Sequence, residues 1–173
     1  RDYDVDQLYH RFRRQDPDVC RRYLISRGID EQLVEELISD GEVLHNHYRN
    51  RSYCCFAVRN VSGDLQCLGN HEIDGPGKFV LGAKSVYSRD WETLPHASEA
   101  FITEGIIDYL SIKTLEGKDV VGIALLGNQL IFEPDLLSAC ARIISALDED
   151  RGGTSAFVDL VDRYPDKEVT QYP

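Results

Sequence analysis

From Ser98 onward, short apolar runs alternate with amphipathic segments, and no other feature of the chain restricts its fold as much. EAFITE reads as a short strand, and GIIDYLSIKTLEG as an amphipathic helix ended by Gly117. DVVGIALLG is a continuous apolar run, the pattern of a strand buried on both faces. EPDLLSACA predicts a second helix, RIISALD a third strand, TSAFVDLVDRY a third helix and KEVTQY a last strand. A β-α-β-α-β-α-β order predicts an α/β domain with a Rossmann-like parallel sheet and helices on both faces. Ligands of such sheets collect beyond the carboxyl ends of the strands.

Those ends carry acids. The first predicted strand ends in Glu104-Gly105, the second in Gly127-Asn128, the third in Asp148-Glu149-Asp150. Side chains two residues apart in extended chain share a side, so Asp148 and Asp150 face one way and Glu149 the other. Asp108 lies four residues after Glu104, one helical turn on and on roughly the same face. Carboxylates that converge raise one another's pKa unless a cation compensates. Hard oxygen donors without Cys or His suit Mg2+ or Mn2+. Gly105, Gly152 and Gly153 are expected to let the backbone turn sharply into helices whose first amides favour anions. Metal-assisted chemistry at a phosphate is the expectation. The alternative is that Glu104, Asp148 and Asp150 merely complement helix dipoles.

Upstream the signals differ. Asp16-Pro17 marks a helix start, Val19, Cys20, Tyr23 and Leu24 keep helical spacing, and Gly28 stops the run. Asp30 then caps EQLVEELISDG, ended by Gly41. YCCFAVRN and LQCLGNHEI around the turn VSGD predict a β-hairpin, and DGPGKFVLGAKSVYS predicts short strands and tight turns. The expected organisation is a small α+β subdomain, helical plus β-hairpin, over residues 1–95, followed by the α/β domain over 96–173.

Cys20, Cys54, Cys55, Cys67 and Cys140 form an odd set without a CxxC pair, which predicts buried, reduced thiols and a cytoplasmic protein. Cys20 and Cys140 fall on expected helix faces, the other three in expected strands. His45 and His47 flank one residue, but no further ligand at useful spacing completes a zinc site. The formal net charge of −11 argues against a standalone domain that grips nucleic acid mainly by neutralising phosphates. It leaves open a catalytic domain whose acids are neutralised by bound cations. No apolar run approaches the roughly 18 residues of a membrane span and no signal peptide is evident, so no membrane partner is expected. The chain contains no methionine and reads as a fragment of something longer.

ITEGIIDYLS followed by ISALDEDRGG resembles the Toprim domain shared by bacterial-type primases, type IA and II topoisomerases and some nucleases. The resemblance spans residues 98–173. It implies Glu104 as general acid/base or metal ligand, with Gly105 its partner, and Asp148 and Asp150 as Mg2+ ligands. Asp108 matches the aspartate of the primase-type EGxxD pattern and is implied as a second catalytic-site residue. YLISRGI, YCCFAVRNVSGDLQCLG and GKFVLGAKSVYS are similar to the segment that precedes Toprim in primases. More particularly, they resemble an uncharacterised domain beside Toprim in plasmid and mobile-element proteins, some with relaxase or helicase parts. On that likeness Arg59 and Lys84, together with Gly105, are placed to meet a nucleotide or nucleic-acid phosphate; from the residues alone both cations are surface charges. The chain also departs from the primase pattern. A KDxNE-like segment does not follow the last strand, so the domain is expected to be truncated at its C-terminus. Asn70-His71-Glu72 stands where primases carry an arginine, and there is no zinc-binding module.

The resemblance implies Mg2+-dependent (or Mn2+-dependent) nucleotidyl transfer of primase type on DNA, in replication or transfer of a mobile element. Single-stranded DNA and NTPs are the implied partners of the full-length protein, with helicase or relaxase modules as companions. The alternatives are a Toprim metal-dependent nuclease and a non-catalytic Toprim module.

Overall fold

Side-chain caps set the first helices of the computed structural model, which describes residues 3–173. Asp4 accepts from the Gln7 amide at 3.0 Å to open α1 (Val5–Arg13), and Asp30 accepts from Leu33 at 3.0 Å to open α3 (Glu31–Ser39). Between them α2 (Asp18–Ser26) begins one residue later than Asp16-Pro17 predicts. Pro17 takes the cap position itself, and Asp16 Oδ1 receives the Asp18 amide. Gly28 and Gly41 (φ +84° and +70°) follow α2 and α3 in the left-handed region, as expected of helix stops.

The next four elements form one antiparallel sheet in sequence order: β1 (Val43–Tyr48), β2 (Arg51–Arg59), β3 (Leu65–Glu72) and β4 (Lys78–Gly82). The predicted hairpin is β2–β3, its turn closing at Gly63. β1 is an addition, since VLHNHY lacks a clean apolar alternation and its turn, Arg49-Asn50, lacks glycine. Its inward polar group is satisfied: Asn46 donates to Asn70 Oδ1 at 2.9 Å, both side chains being buried. On one face Tyr9 and Phe12 of α1 pack with Leu44, Cys55, Ala57 and Leu68. Phe12, Leu44 and Leu68 each contribute about 1.5–3 kcal/mol of transfer free energy there.

The chain divides into two compact units between Lys84 and Ser85. Residues 85–95 belong to the second unit, where Tyr87 exchanges two 2.8 Å backbone hydrogen bonds with Ala124. Asp90 lies deeper still. Its Oδ2 accepts from Tyr109 Oη (2.6 Å) and from the Gly122 amide (2.9 Å), while its Oδ1 pairs with Lys113. Lys113 Nζ also donates to the carbonyls of Lys118 and Val120. This buried ion pair has partners on every side, the condition under which burial of charge is tolerated.

The second unit is the predicted α/β domain: β5 (Glu99–Thr103), α4 (Ile106–Glu116), β6 (Gly122–Ala124), β7 (Arg142–Ala146), α5 (Arg151–Arg163) and β8 (Glu168–Gln171). The sheet order is β6-β5-β7-β8, and every pairing is parallel. Helices flank it. Phe101 of β5 meets Tyr109 of α4 at 5.3 Å between ring centroids, and alternate residues Ala100, Ile102 and Ile143 join Leu160 and Tyr164 of the α5 region in one core cluster.

One predicted helix is absent. EPDLLSACA forms only a single 3-10 turn, Pro134–Leu137, within an irregular crossover. Arg163 explains how that crossover is held, donating to the carbonyls of Phe132 (2.8 Å) and Leu130 (2.9 Å). Cys140 consequently lies in a loop rather than on a helix face, although it is buried as expected. All five cysteines are free and buried, and burial raises the thiol pKa of Cys54, Cys55 and Cys140. Among the described residues no helix is long and apolar enough to cross a membrane.

Candidate metal and phosphate site

Parallel pairing brings the ends of β5, β6 and β7 to one edge of the second unit's sheet. Glu104 follows β5, Gly127 and Asn128 follow β6, and Asp148-Glu149-Asp150 follow β7. Glu104 is half-buried and its Oε1 is a buried oxygen without a hydrogen-bond partner. Its carboxyl is held above the ordinary range, first by burial and then by the charges of Asp148 and Asp150. Three of the predicted acids are therefore brought together.

Asp150 is the N-cap of α5, and its Oδ1 accepts from the Gly153 amide at 2.8 Å. The helix-capping role expected as the alternative is thus present at Asp150. Asp148 and Asp150 are both exposed, so their remaining oxygens face solvent. Asp108 sits in the first turn of α4, exposed, with its Oδ2 only 3.2 Å from where a Cβ on Gly105 would lie. The charges that act on Glu104 are those of the DxD pair rather than that of Asp108.

The glycines serve a different purpose from the one predicted. Gly105 caps α4 in extended backbone (φ −108°), and Gly152 and Gly153 lie inside the first turn of α5. A Cβ at Gly153 would stand 1.8 Å from the Asp148 carbonyl oxygen and 2.9 Å from Glu104 Oε1. A Cβ at Gly152 would stand 2.3 Å from Asn128 Nδ2. What these positions supply is space, through which the acid loop closes on its own helix.

Asn128 is a neighbour to which the sequence reading gave no role. The loop carrying it is strained at Leu126 (φ +57°) and anchored by the Gly127 amide on the Glu104 carbonyl at 3.2 Å. The Gly-Asn pair at a strand end was the available signal. Arg59 and Lys84 belong to the first unit. Arg59 donates to the Gly63 carbonyl at 3.1 Å and lies 5.3 Å from the centre of the Tyr9 ring; Lys84 is exposed.

Among the described residues no three His, Cys, Asp or Glu side chains stand close enough to hold a metal ion as placed. The donor set nonetheless fits a hard divalent cation. It is all oxygen, and it includes a buried carboxylate atom that nothing in the protein satisfies. A hollow of about 350 Å³ opens beside the acids between Asp148, Glu149, Thr154, Phe157 and Tyr172. Another, of about 890 Å³, is lined by Phe101, Ile112, Ile144 and Thr170 and does not include the acids.

Residues 101–172 match the Toprim-like family model. No curated protein sequence matches significantly. Solved structures share the fold at low identity. The primase fragment of the bacteriophage T7 primase-helicase protein aligns at 15% identity with a TM-score of 0.63, over 86% of this chain and 62% of that one. The E. coli primase catalytic core aligns at 17% identity and TM-score 0.66, over 98% and 71%. A DnaG primase catalytic domain bound to single-stranded DNA aligns at 16% identity and TM-score 0.65, over 98% and 72%. The chain thus spans less than two thirds of the T7 fragment. Its second unit is thus similar to the Toprim-like family over residues 101–172, and the chain shares its fold with the catalytic cores of primases.

Proposed function

We propose that the second unit is a Mg2+-dependent nucleotidyl-transfer domain of primase type, acting on DNA. The observation that carries this reading is the meeting of Glu104 with Asp148 and Asp150 at the carboxyl edge of the sheet, with Glu104 Oε1 buried and unsatisfied. Glu104, Asp148 and Asp150 are the residues that would hold the ion. When bound there, Mg2+ or Mn2+ stabilises the charge that develops on a transferring phosphoryl group.

The chain's own groups do the rest. The raised pKa of Glu104 suits it to hold or accept the proton of an attacking hydroxyl. The first amides of α5 favour an anion at the end of Asp150's turn, and Asp108, folded over Gly105, orients the entry to α4. Arg59 and Lys84 are proposed as phosphate-contacting residues of the first unit on the sequence resemblance alone. Single-stranded DNA as a partner of the longer protein is supported by the DnaG domain bound to it, and a helicase companion by the T7 primase-helicase. Cytoplasmic location rests on the reduced cysteines, and a role in a mobile element on the sequence resemblance.

Thermal melting of the chain with and without Mg2+ or Mn2+ tests the metal site. Saturation at about a hundred times Kd stabilises the folded state by about 2.7 kcal/mol. Asp148→Asn combined with Asp150→Asn abolishes the gain. An unmutated chain whose melting ignores both ions overturns the reading. Incubating a longer form with single-stranded DNA, labelled NTPs and Mn2+ then separates the chemistries. Labelled product of defined length marks nucleotidyl transfer, shortened template marks a nuclease, and neither, with the melting response intact, marks a non-catalytic module.

A further inference from the structure

The loop after β6 brings a polar side chain to the acid edge, and the backbone is strained where it does so. Leu126 takes φ +57°, a region that bulky L-residues rarely occupy, and Gly127 follows at φ +147°. Two hydrogen bonds tie this loop to the end of β5. The Leu125 amide donates to the Thr103 carbonyl at 2.9 Å, and the Gly127 amide to the Glu104 carbonyl at 3.2 Å. Asn128 comes next. It is exposed, and its side-chain amide makes no hydrogen bond among the described residues.

Two adjacent glycines in the first turn of α5 fix where that amide stands. A Cβ at Gly152 would lie 2.3 Å from Asn128 Nδ2 and 3.4 Å from Asp150 Oδ1, so amide and carboxylate border one point. A Cβ at Gly153 would lie 2.9 Å from Glu104 Oε1. Asn128 therefore stands on the same edge as the acids and is the neutral group beside them. Its Nδ2 carries two N–H donors, whereas ionised carboxylates only accept. A cation held by the carboxylates takes some oxygens of a bound phosphate and leaves the others in need of donors. An uncharged N–H group meets that need without competing for the acids.

We propose that Asn128 is a phosphate-contacting residue: its Nδ2 donates to a polyphosphate oxygen of a nucleotide bound at Glu104, Asp148 and Asp150. The strained loop holds the donor in place before the ligand arrives, so binding has less left to order. Gly152 belongs to the same device, because any side chain there would push the amide off the edge. The inference rests on the metal-site reading above. It adds a residue that neither holds the ion nor moves the proton. Turned over, the same side chain would offer Oδ1 to the cation instead, and the two roles respond differently to Asn128→Asp.

The test is isothermal titration calorimetry of the full chain, first with Mg2+ alone, then with inorganic tripolyphosphate or ATP at saturating Mg2+. The parent binds the ion and both polyphosphates. Asn128→Ala leaves the Kd for Mg2+ unchanged. It weakens tripolyphosphate and ATP equally, by about tenfold, the loss expected for one hydrogen bond to a charged acceptor. Gly152→Ala reproduces that loss, and combining the two substitutions adds nothing further, since both remove one contact. Asn128→Asp, which replaces the donor by a charge, weakens polyphosphate binding at least as much. Circular dichroism melting confirms that each variant folds. The inference is overturned if Asn128→Ala binds both polyphosphates as tightly as the parent. A loss of Mg2+ affinity in Asn128→Ala that Asn128→Asp restores also overturns it, making the residue a metal ligand. So does a loss for ATP alone, which moves the contact to the sugar or base. A parent that binds Mg2+ but neither polyphosphate removes this inference alone. A parent that binds no Mg2+ removes the metal-site reading with it.

Discussion

The two units treat charge in opposite ways. The first carries twelve bases against fourteen acids and is nearly balanced, whereas the second carries sixteen acids against seven bases. In the second unit the consequential charges are drawn inward. Asp90 and Lys113 pair in its interior, and Glu104 sits half-buried against two more carboxylates. The acid excess of the chain therefore belongs almost wholly to the second unit. Net charge summed over the whole chain hides this division.

Breaking the Asp90–Lys113 pair is expected to have the largest effect. Asp90→Ala or Lys113→Met leaves the other charge buried and unpaired, which costs about 3–5 kcal/mol. Calorimetry should show the loss in the second unit's transition and not in the first's. Equal loss in both would show that the units melt as one. Gly153→Ala comes next. Its new methyl meets the Asp148 carbonyl, and the shift it forces costs about 1–3 kcal/mol. The stabilising response to Mg2+ should disappear with it.

A pH series sharpens the contrast further. His71 has its pKa depressed from the ordinary 6.5 to about 4, so the unfolded chain binds the proton first. Stability of the first unit should fall as pH drops from about 6.5 toward 4, by about 3 kcal/mol, and His71→Gln should flatten the profile. Glu104 has the opposite sign. Its raised pKa makes the ionised form a burden that vanishes below the ordinary glutamate value near 4.3. Glu104→Gln should therefore raise the second unit's melting temperature at neutral pH without metal, on the order of a degree or two. The gain should be absent in acid and reversed by saturating Mg2+.

What the chain discloses before folding follows the range of the forces involved. The parallel sheet, the capped helices and the β2–β3 hairpin rest on local periodicity and caps, and these were legible. Glu104, Asp148 and Asp150 were legible because strand ends in such a sheet must share an edge. The 3-10 turn at Pro134–Leu137 was not, since Arg163 captures that crossover's carbonyls from about thirty residues away. β1 escaped because its turn uses Arg49-Asn50 and its inward Asn46 is acceptable only once Asn70 is opposite. The need for glycine at Gly152 and Gly153 was visible, but its reason was a contact with Asn128 and Asp148 that only the fold creates.

The bridge between Tyr87 and Ala124 has a consequence for how the sheet meets other chains. β6 is three residues long and stands at one margin, where its free amides and carbonyls would template an incoming strand. Tyr87 approaches in the antiparallel sense and occupies Ala124's outward hydrogen-bonding pair. That margin is sealed from within the chain, and among the described residues β8 forms the opposite margin of the sheet.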